Sequence, residues 1–229
     1  NKAKSSELKS LRRSLQIIFQ DPFSSLNPRM TIADIVTEGL IEHKLLNGNK
    51  EDTAVRLLEE VGLNADHLYR YPHEFSGGQR QRICLSRAIS LKPEFVVCDE
   101  ALSALDVTIQ AQILALLKEL QQELGMAILL ITHNLGVVAQ FAQDIIVMYA
   151  SRIVERASVL QLYANPSHPY TRALLRSLPK PGIRKERLEC IQGTVPSPLV
   201  YPNGCHFSTR CPEVFGCCAE QEPPHIEVE

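Results

Sequence analysis

Two neighbouring stretches decide the fold: Phe75-Ser76-Gly77-Gly78-Gln79-Arg80-Gln81-Arg82 and, one helix later, Phe95-Val96-Val97-Cys98-Asp99-Glu100. In the first, a serine and two glycines open a helix, so that backbone N–H groups and the positive helix end can face a phosphate. In the second, an unbroken apolar run stops at two carboxylates. That is the pattern of a strand buried in a parallel sheet, delivering acids to the carboxyl edge where α/β proteins place nucleotide, metal and water chemistry. Each motif alone has a plainer alternative: a glycine turn before a surface helix, and two solvated acids in a loop.

Upstream of the glycine pair, residues 15–19 read as a short strand broken at Gln20-Asp21-Pro22. Thr31 caps a helix expected to reach about residue 46, and a second helix over 50–61 stops at Gly62. Downstream of Glu100 strand and helix alternate. Asp106 caps a long helix ended by Gly125, residues 127–131 read as a second buried strand followed by Thr132-His133, and residues 145–149 as a third. This is a three-layer α/β pattern with crossovers of ordinary length. The chain divides on this reading into four segments: 1–20, part of a catalytic core; 21–90, a helical subdomain; 91–155, the rest of the core; and 156–229, a proline- and cysteine-rich extension.

A formal charge of -2 over 229 residues argues against binding nucleic acid through bulk positive charge. The longest apolar runs, 126–131 and 145–150, are strand length, below the ~18 to 20 residues that span a bilayer; a membrane role is expected to be peripheral. Residues 1–11 lack the apolar core of a secretion signal. Of the seven cysteines, Cys84 and Cys98 sit in apolar segments as small hydrophobes, whereas Cys190, Cys205, Cys211, Cys217 and Cys218 crowd the end of the chain, a density that points to a metal or disulfides.

An aspartate at a strand end can hold Mg²⁺, and the carboxylate after it can orient and deprotonate a water. His133 follows its strand as Glu100 follows the first, and Gln20 ends the earliest strand. The ordered set Gln20, Ser76-Gly77-Gly78-Gln79, Asp99-Glu100, Ser103-Ala104-Leu105-Asp106 and His133 closely resembles the nucleotide-binding subunits of ATP-binding cassette (ABC) transporters over about residues 11–155. There these are the Q-loop, signature motif, Walker B with catalytic glutamate, D-loop and switch histidine. Residues 19–31, Ser103-Ala104-Leu105-Asp106-Val107 and Asn165-Pro166-Ser167-His168-Pro169-Tyr170-Thr171 resemble the dipeptide and oligopeptide importer branch. The implied fold is a P-loop NTPase core of the RecA-like, ABC type, with a helical subdomain and a C-terminal extension.

The resemblance implies ATP and Mg²⁺ as ligands and a head-to-tail dimer with an identical or related ATPase subunit. Ser76, Gly77, Gly78 and Gln79 would serve the partner's nucleotide, Asp99 would support Mg²⁺, and Glu100 would be the general base. Gln20 would link Mg²⁺ to the membrane-facing surface, His133 would contact the γ-phosphate, and Asp106 belongs to the D-loop. It further implies two transmembrane permease subunits, an extracytoplasmic solute-binding protein, a place on the cytoplasmic face of the inner membrane, and peptides or related solutes as cargo. The chain departs from the family at Ala101 for proline, Asn134 for aspartate and Ser151 for glycine. Cassette ATPases of DNA repair or translation carry coiled-coil or basic insertions, and none is seen.

Gly204-Cys205-His206-Phe207-Ser208-Thr209-Arg210-Cys211-Pro212 with Cys217-Cys218 resembles the cysteine motif of many peptide-importer ATPases, where an iron-sulfur cluster is implied. Zinc is the alternative. Cys205, Cys211 and Cys218 match the first three positions, with Cys190 or Cys217 available as a fourth ligand.

A P-loop NTPase also needs Gly-x-x-x-x-Gly-Lys-Ser/Thr to cradle the phosphates, and these 229 residues contain no such run. In the family it precedes the region corresponding to Asn1, so the chain reads as an N-terminally truncated piece; a non-catalytic remnant is the alternative. The expected outcome is that the purified 229-residue polypeptide alone releases no phosphate from MgATP above a blank, and measurable turnover would overturn this.

Overall fold

Mainly apolar segments of four and five residues form three parallel strands in the computed structural model, which describes residues 4–103, 105–178 and 190–227. After helix α1 (Ser5–Ser14) come β1 (Leu15–Ile18), then β2 (Phe95–Asp99) and β3 (Ala127–Ile131), in the order β1-β2-β3. Ile18 pairs with Cys98 and Cys98 with Leu130, so the strands end level with one another. Gln20, Glu100 and His133 therefore arrive at one edge of one sheet, because parallel strands share a carboxyl end.

Between β1 and β2 lie α2 (Pro22–Ser25), α3 (Ile32–Glu42), α4 (Lys50–Glu59) and α5 (Gly77–Ile89). Each start is capped: the Asp21 carboxylate accepts from Phe23 N at 2.9 Å, the Thr31 hydroxyl from Asp34 N at 3.3 Å, and the Asn49 carbonyl from Glu51 N at 2.7 Å. Helix α3 stops at Glu42, short of the expected residue 46. Lys44 takes the left-handed conformation with φ 55°, and Leu45 N returns to Leu40 O at 2.7 Å, closing a Schellman cap built on lysine instead of glycine. Helix α5 is the hub of this block, packing against α2, α3, α4 and β1. Ile83, Cys84, Leu85, Ala88 and Ile89 are all buried, and the Ser86 hydroxyl donates to Leu57 O at 2.7 Å.

The sheet is covered on one face only among the described residues of this unit. Ile18, Val96 and Cys98 are buried, while Ile17, Leu129 and Ile131 are 40%, 45% and 43% exposed. The expectation of buried strands thus holds for one face only: alternate side chains point to opposite faces, and apolar residues on the open face look the same in sequence as those in the core. Cys84 and Cys98 are the small buried hydrophobes expected, and burial pushes their thiols up to about 11 and about 12.

The chain separates into two compact units, Asn1–Val137 and Val138–Glu229, within α7 (Leu135–Phe141); α6 (Val107–Leu124) joins β2 to β3 in the first. The break expected near residue 156 from composition lies inside a strand. In the second unit β4 (Asp144–Tyr149) pairs antiparallel with β5 (Arg152–Ser158), so residues 145–149 belong to a hairpin and not to the parallel sheet. Ala150 and Ser151 turn it with φ of 45° and 64°, the two-residue turn that matches strand twist. The charged run Arg152, Glu155, Arg156 hid β5 from a reading by apolar content.

Ile145, Val147 and Leu162 form the core of the second unit beneath α8 (Val159–Ala164) and α9 (Pro169–Arg176). The Asn165–Thr171 motif works here as a joint. Glu155 accepts from Ser167 N at 2.7 Å and His168 N at 3.0 Å, His168 Nδ1 accepts from Tyr170 N at 3.0 Å to cap α9, and Pro169 takes the first helical position. Tyr149, Tyr170 and His168 surround the buried ring of Phe207, with centroids 5.1, 5.4 and 5.9 Å away.

Burial depresses the His168 pKa below its ordinary 6.5, with Glu155 opposing and Arg172 reinforcing the shift. Above that value the imidazole is neutral in both states; as pH falls through it the unfolded chain binds a proton that the folded cap refuses, so stability is lost toward acid. Exchange of the Tyr170 amide is expected to quicken from about pH 7.5 to about pH 5.5, beyond the change in intrinsic exchange chemistry. His168→Asn, which keeps a cap but does not titrate, is expected to flatten that dependence.

Candidate functional site

Glu100 is the centre of the strand edge. Its Oε2 accepts from Gln20 Nε2 at 2.8 Å, and its Oε1 lies 3.1 Å from His133 Nδ1. Three residues from the ends of three strands thus meet on one carboxylate, whose side chain is 29% exposed beside a 73% exposed imidazole. Asp99, half-buried, ends β2 opposite Ile131. Each Glu100 oxygen has two lone pairs and spends one here, so both keep a site for a further donor such as water.

The backbone of Glu100 is left-handed, with φ 45°. A side chain there is disfavoured and persists only where the surroundings impose it. Glu100 N donates to Ile131 O at 2.9 Å, tying it to β3; Ser103 N at 3.0 Å and Ser103 Oγ at 2.9 Å both donate back to Glu100 O. The chain then turns to Asp106, whose Oδ1 accepts from Ile109 N at 3.0 Å and starts α6. Gln110, one turn in, reaches back with Nε2 to Leu102 O at 2.8 Å and Leu105 O at 3.0 Å.

The signature stretch lies at the other end of that loop. Ser76 caps α5 reciprocally with Gln79: Gln79 N donates to Ser76 Oγ at 3.4 Å and Ser76 N to Gln79 Oε1 at 3.0 Å. Ser76 and Gly77 are exposed, leaving the first turn open to a ligand from outside. Gly78 is required by packing: a Cβ there would lie 2.6 Å from Ile109 Cγ2. A Cβ on Gly77 would meet Leu105 at an ordinary 3.6 Å. Behind them Arg80 donates to Pro72 O at 2.8 Å and stacks over Phe23, and Arg82 donates to Val61 O at 2.7 Å, closing the end of α4.

Of the residues singled out from sequence, Gln20, Glu100 and His133 converge. Ser76, Gly77, Gly78 and Gln79 form a second, open group joined to them through the 100–106 loop; Asp106 is a helix cap, and Ala104 lies outside the described residues. Gln110, Ile109 and Arg82 were missed, since a glutamine or arginine on a helix carries no sequence mark of the carbonyl it will meet. Cys205 and Cys218 are linked by their backbones at 2.8 Å, and burial raises the Cys211 thiol, whose sulfur accepts from Glu213 N at 3.4 Å. Among the described residues no three of His, Cys, Asp and Glu stand together as a metal shell. The charges of Cys205 and Cys218 add to the raising of the Cys211 thiol, so these three are neighbours, while Cys190 is exposed. His206 of the same motif instead bonds Ala150 O at 2.6 Å, holding the β4–β5 turn.

Parallel strands ending level on a carboxylate, a glutamine and a histidine, beside a glycine-opened helix, define part of a nucleotide-handling α/β domain. Comparison with known proteins places it more closely. The family profile "ABC transporter" matches residues 1–103, and "Oligopeptide/dipeptide transporter, C-terminal region" matches 154–218. A putative peptide import ATP-binding protein of Brucella ovis is 50% identical over 97% of this chain and 71% of its own length. The dipeptide transport ATP-binding protein DppF of Haemophilus influenzae is 46% identical over 97% of this chain and 68% of its own. Among solved structures, cbiO1 of Clostridium perfringens, part of an ABC transporter complex, superposes with TM-score 0.63 at 25% identity over 71% of this chain; this chain spans 64% of that one. The ATP-binding cassette MJ0796 bound to ADP and Pi gives 0.61 at 26% identity over 69% of each chain. The chain belongs to the ATP-binding proteins of the ABC transporter family, in the oligopeptide/dipeptide branch. No helix among the described residues is long and apolar enough to cross a membrane.

The contact between α5 and α6 can be tested at its tightest point. Gly78→Ala is expected to destabilise the first unit by about 1–3 kcal/mol through overpacking, read by denaturant unfolding, and Ile109→Ala in the same chain is expected to recover part of that loss.

Proposed function

We propose that this chain is the ATP-hydrolysing subunit of an importer for peptides or related solutes, and that Glu100 is its general base. The observation that carries the reading is the convergence of Gln20 and His133 on Glu100, at a strand edge and in a strained backbone conformation. Phosphoryl transfer is mostly positioning and charge stabilisation. The two partners fix the direction of the carboxylate, and a free lone pair on it takes the proton of a water attacking the γ-phosphate of ATP. His133, the more exposed of the pair, faces the phosphate from the neighbouring strand. Mg²⁺, which Asp99 and Gln20 have the oxygen donors to hold, neutralises phosphate charge when bound.

Ser76, Gly77, Gly78 and Gln79 serve the nucleotide of a second ATPase subunit, reached through the exposed start of α5 at Ser76 and Gly77. The site is then complete only in a dimer. The helical segment of residues 21–90 docks on two permease subunits at the cytoplasmic face of the membrane, with an extracytoplasmic binding protein delivering the solute. The family's relatives named for peptide and dipeptide transport support this cargo class.

In the full-length protein Glu100→Gln keeps the shape and the partners but removes the base. It is expected to lower kcat for ATP hydrolysis by roughly 10²- to 10⁴-fold with nucleotide binding retained. A phosphate-release assay giving the unsubstituted rate would remove Glu100 from this role.

A further inference from the structure

We infer that Gln110 is a positioning residue for Glu100, acting through the loop that joins β2 to α6; the inference rests on the general-base reading above. Glu100 is left-handed at φ 45°, and the groups that impose this are Ile131 O on one side and Ser103 on the other. Ile131 is fixed by the sheet. Ser103 sits on a short turn, and its two bonds to Glu100 O hold only while that turn keeps its shape. The turn has its own bond from Leu105 N to Leu102 O at 3.2 Å, and Gln110 adds a brace across the same two residues. Its single amide nitrogen donates to Leu102 O at 2.8 Å and Leu105 O at 3.0 Å, the residues on either side of the Ser103 turn. An amide NH₂ has two hydrogens, so both carbonyls are satisfied at once.

The brace is itself anchored. Gln110 lies in the first turn of α6, which Asp106 caps, and the preceding residue Ile109 fills the space that glycine leaves at position 78. Gln110 therefore ties the carboxylate's loop to the helix that the signature stretch touches. It reaches no reacting atom: it is positioning, not catalytic. Without its two bonds the turn keeps only the longer Leu105–Leu102 backbone bond, Ser103 holds Glu100 O less firmly, and Glu100 can relax to a right-handed or extended backbone that aims the carboxylate away from Gln20 and His133.

The test uses the full-length protein. Gln110→Glu keeps the length of the side chain but turns both donors into acceptors facing two carbonyls. It is expected to lower kcat by about 10- to 100-fold, as small misplacements of a reacting group do, with KM for MgATP within about twofold. Gln110→Ala, favourable in a helix, is expected to show the same pattern and serves if the charged variant does not fold. The decisive measurement is single-turnover hydrolysis in the Glu100→Gln background, where Gln110→Ala is expected to add no further loss because the group it positions is already gone. A multiplicative loss there, a raised KM with unchanged kcat, or an unchanged rate in both Gln110 variants overturns the inference. If Glu100→Gln alone leaves hydrolysis intact, the general-base reading fails and this one with it; a normal Glu100→Gln loss beside an unaffected Gln110→Ala removes only the positioning role.

Discussion

The strand edge depends on a backbone that Glu100 would not adopt unaided. A non-glycine residue at positive φ crowds its own Cβ against the chain, and folded proteins keep such residues where neighbours leave no alternative. Here the neighbours are the carbonyl of Ile131, the amide and hydroxyl of Ser103, and side chains from two further strand ends. Parallel register makes this possible, because Ile18, Cys98 and Leu130 stand level and the residues after them share one edge. The carboxylate is held by the sheet as a whole and not by any one bond.

From that edge the structure runs outward along one loop. Residues 100–106 begin at the carboxylate and end at the cap of α6, and the first turn of α6 meets the glycines that open α5. The glycine-opened helix and the carboxylate are thus mechanically connected through one loop. Helix α5 passes the connection on: buried along its length, it is the element against which α2, α3 and α4 all pack. On the proposed reading, a movement of the helical block reaches the signature turn and the carboxylate through the same few contacts.

The second unit solves a different problem, stabilising a two-stranded hairpin that is marginal by itself. Its turn carries two non-glycine residues at positive φ and is held by His206, while Phe207 fills the centre of an aromatic cluster with Tyr149 and Tyr170. His206 and Phe207, next to Cys205, thus serve packing and the turn. Glu155 and His168 convert a proline-rich linker into a capped helix start.

Much of this was legible in the chain. Thr31, Ser76 and Asp106 each cap the helix they precede, and the strand ends at Gln20, Glu100 and His133 were visible as apolar runs stopping at polar groups, because caps and strand ends are local signals. The end of α3 at Lys44, the open face carrying Leu129 and Ile131, and the pairing of Tyr149 with Arg152 were not, since each depends on what covers or opposes a residue. The sequence by itself determined which residues end the strands and open the helices, and in what order. Only the tertiary structure decided that Glu100 is held left-handed between Gln20 and His133, and that Gln110 braces its loop. Those outcomes rest on distances between segments far apart in the chain or on side-chain direction, neither of which composition or spacing encodes.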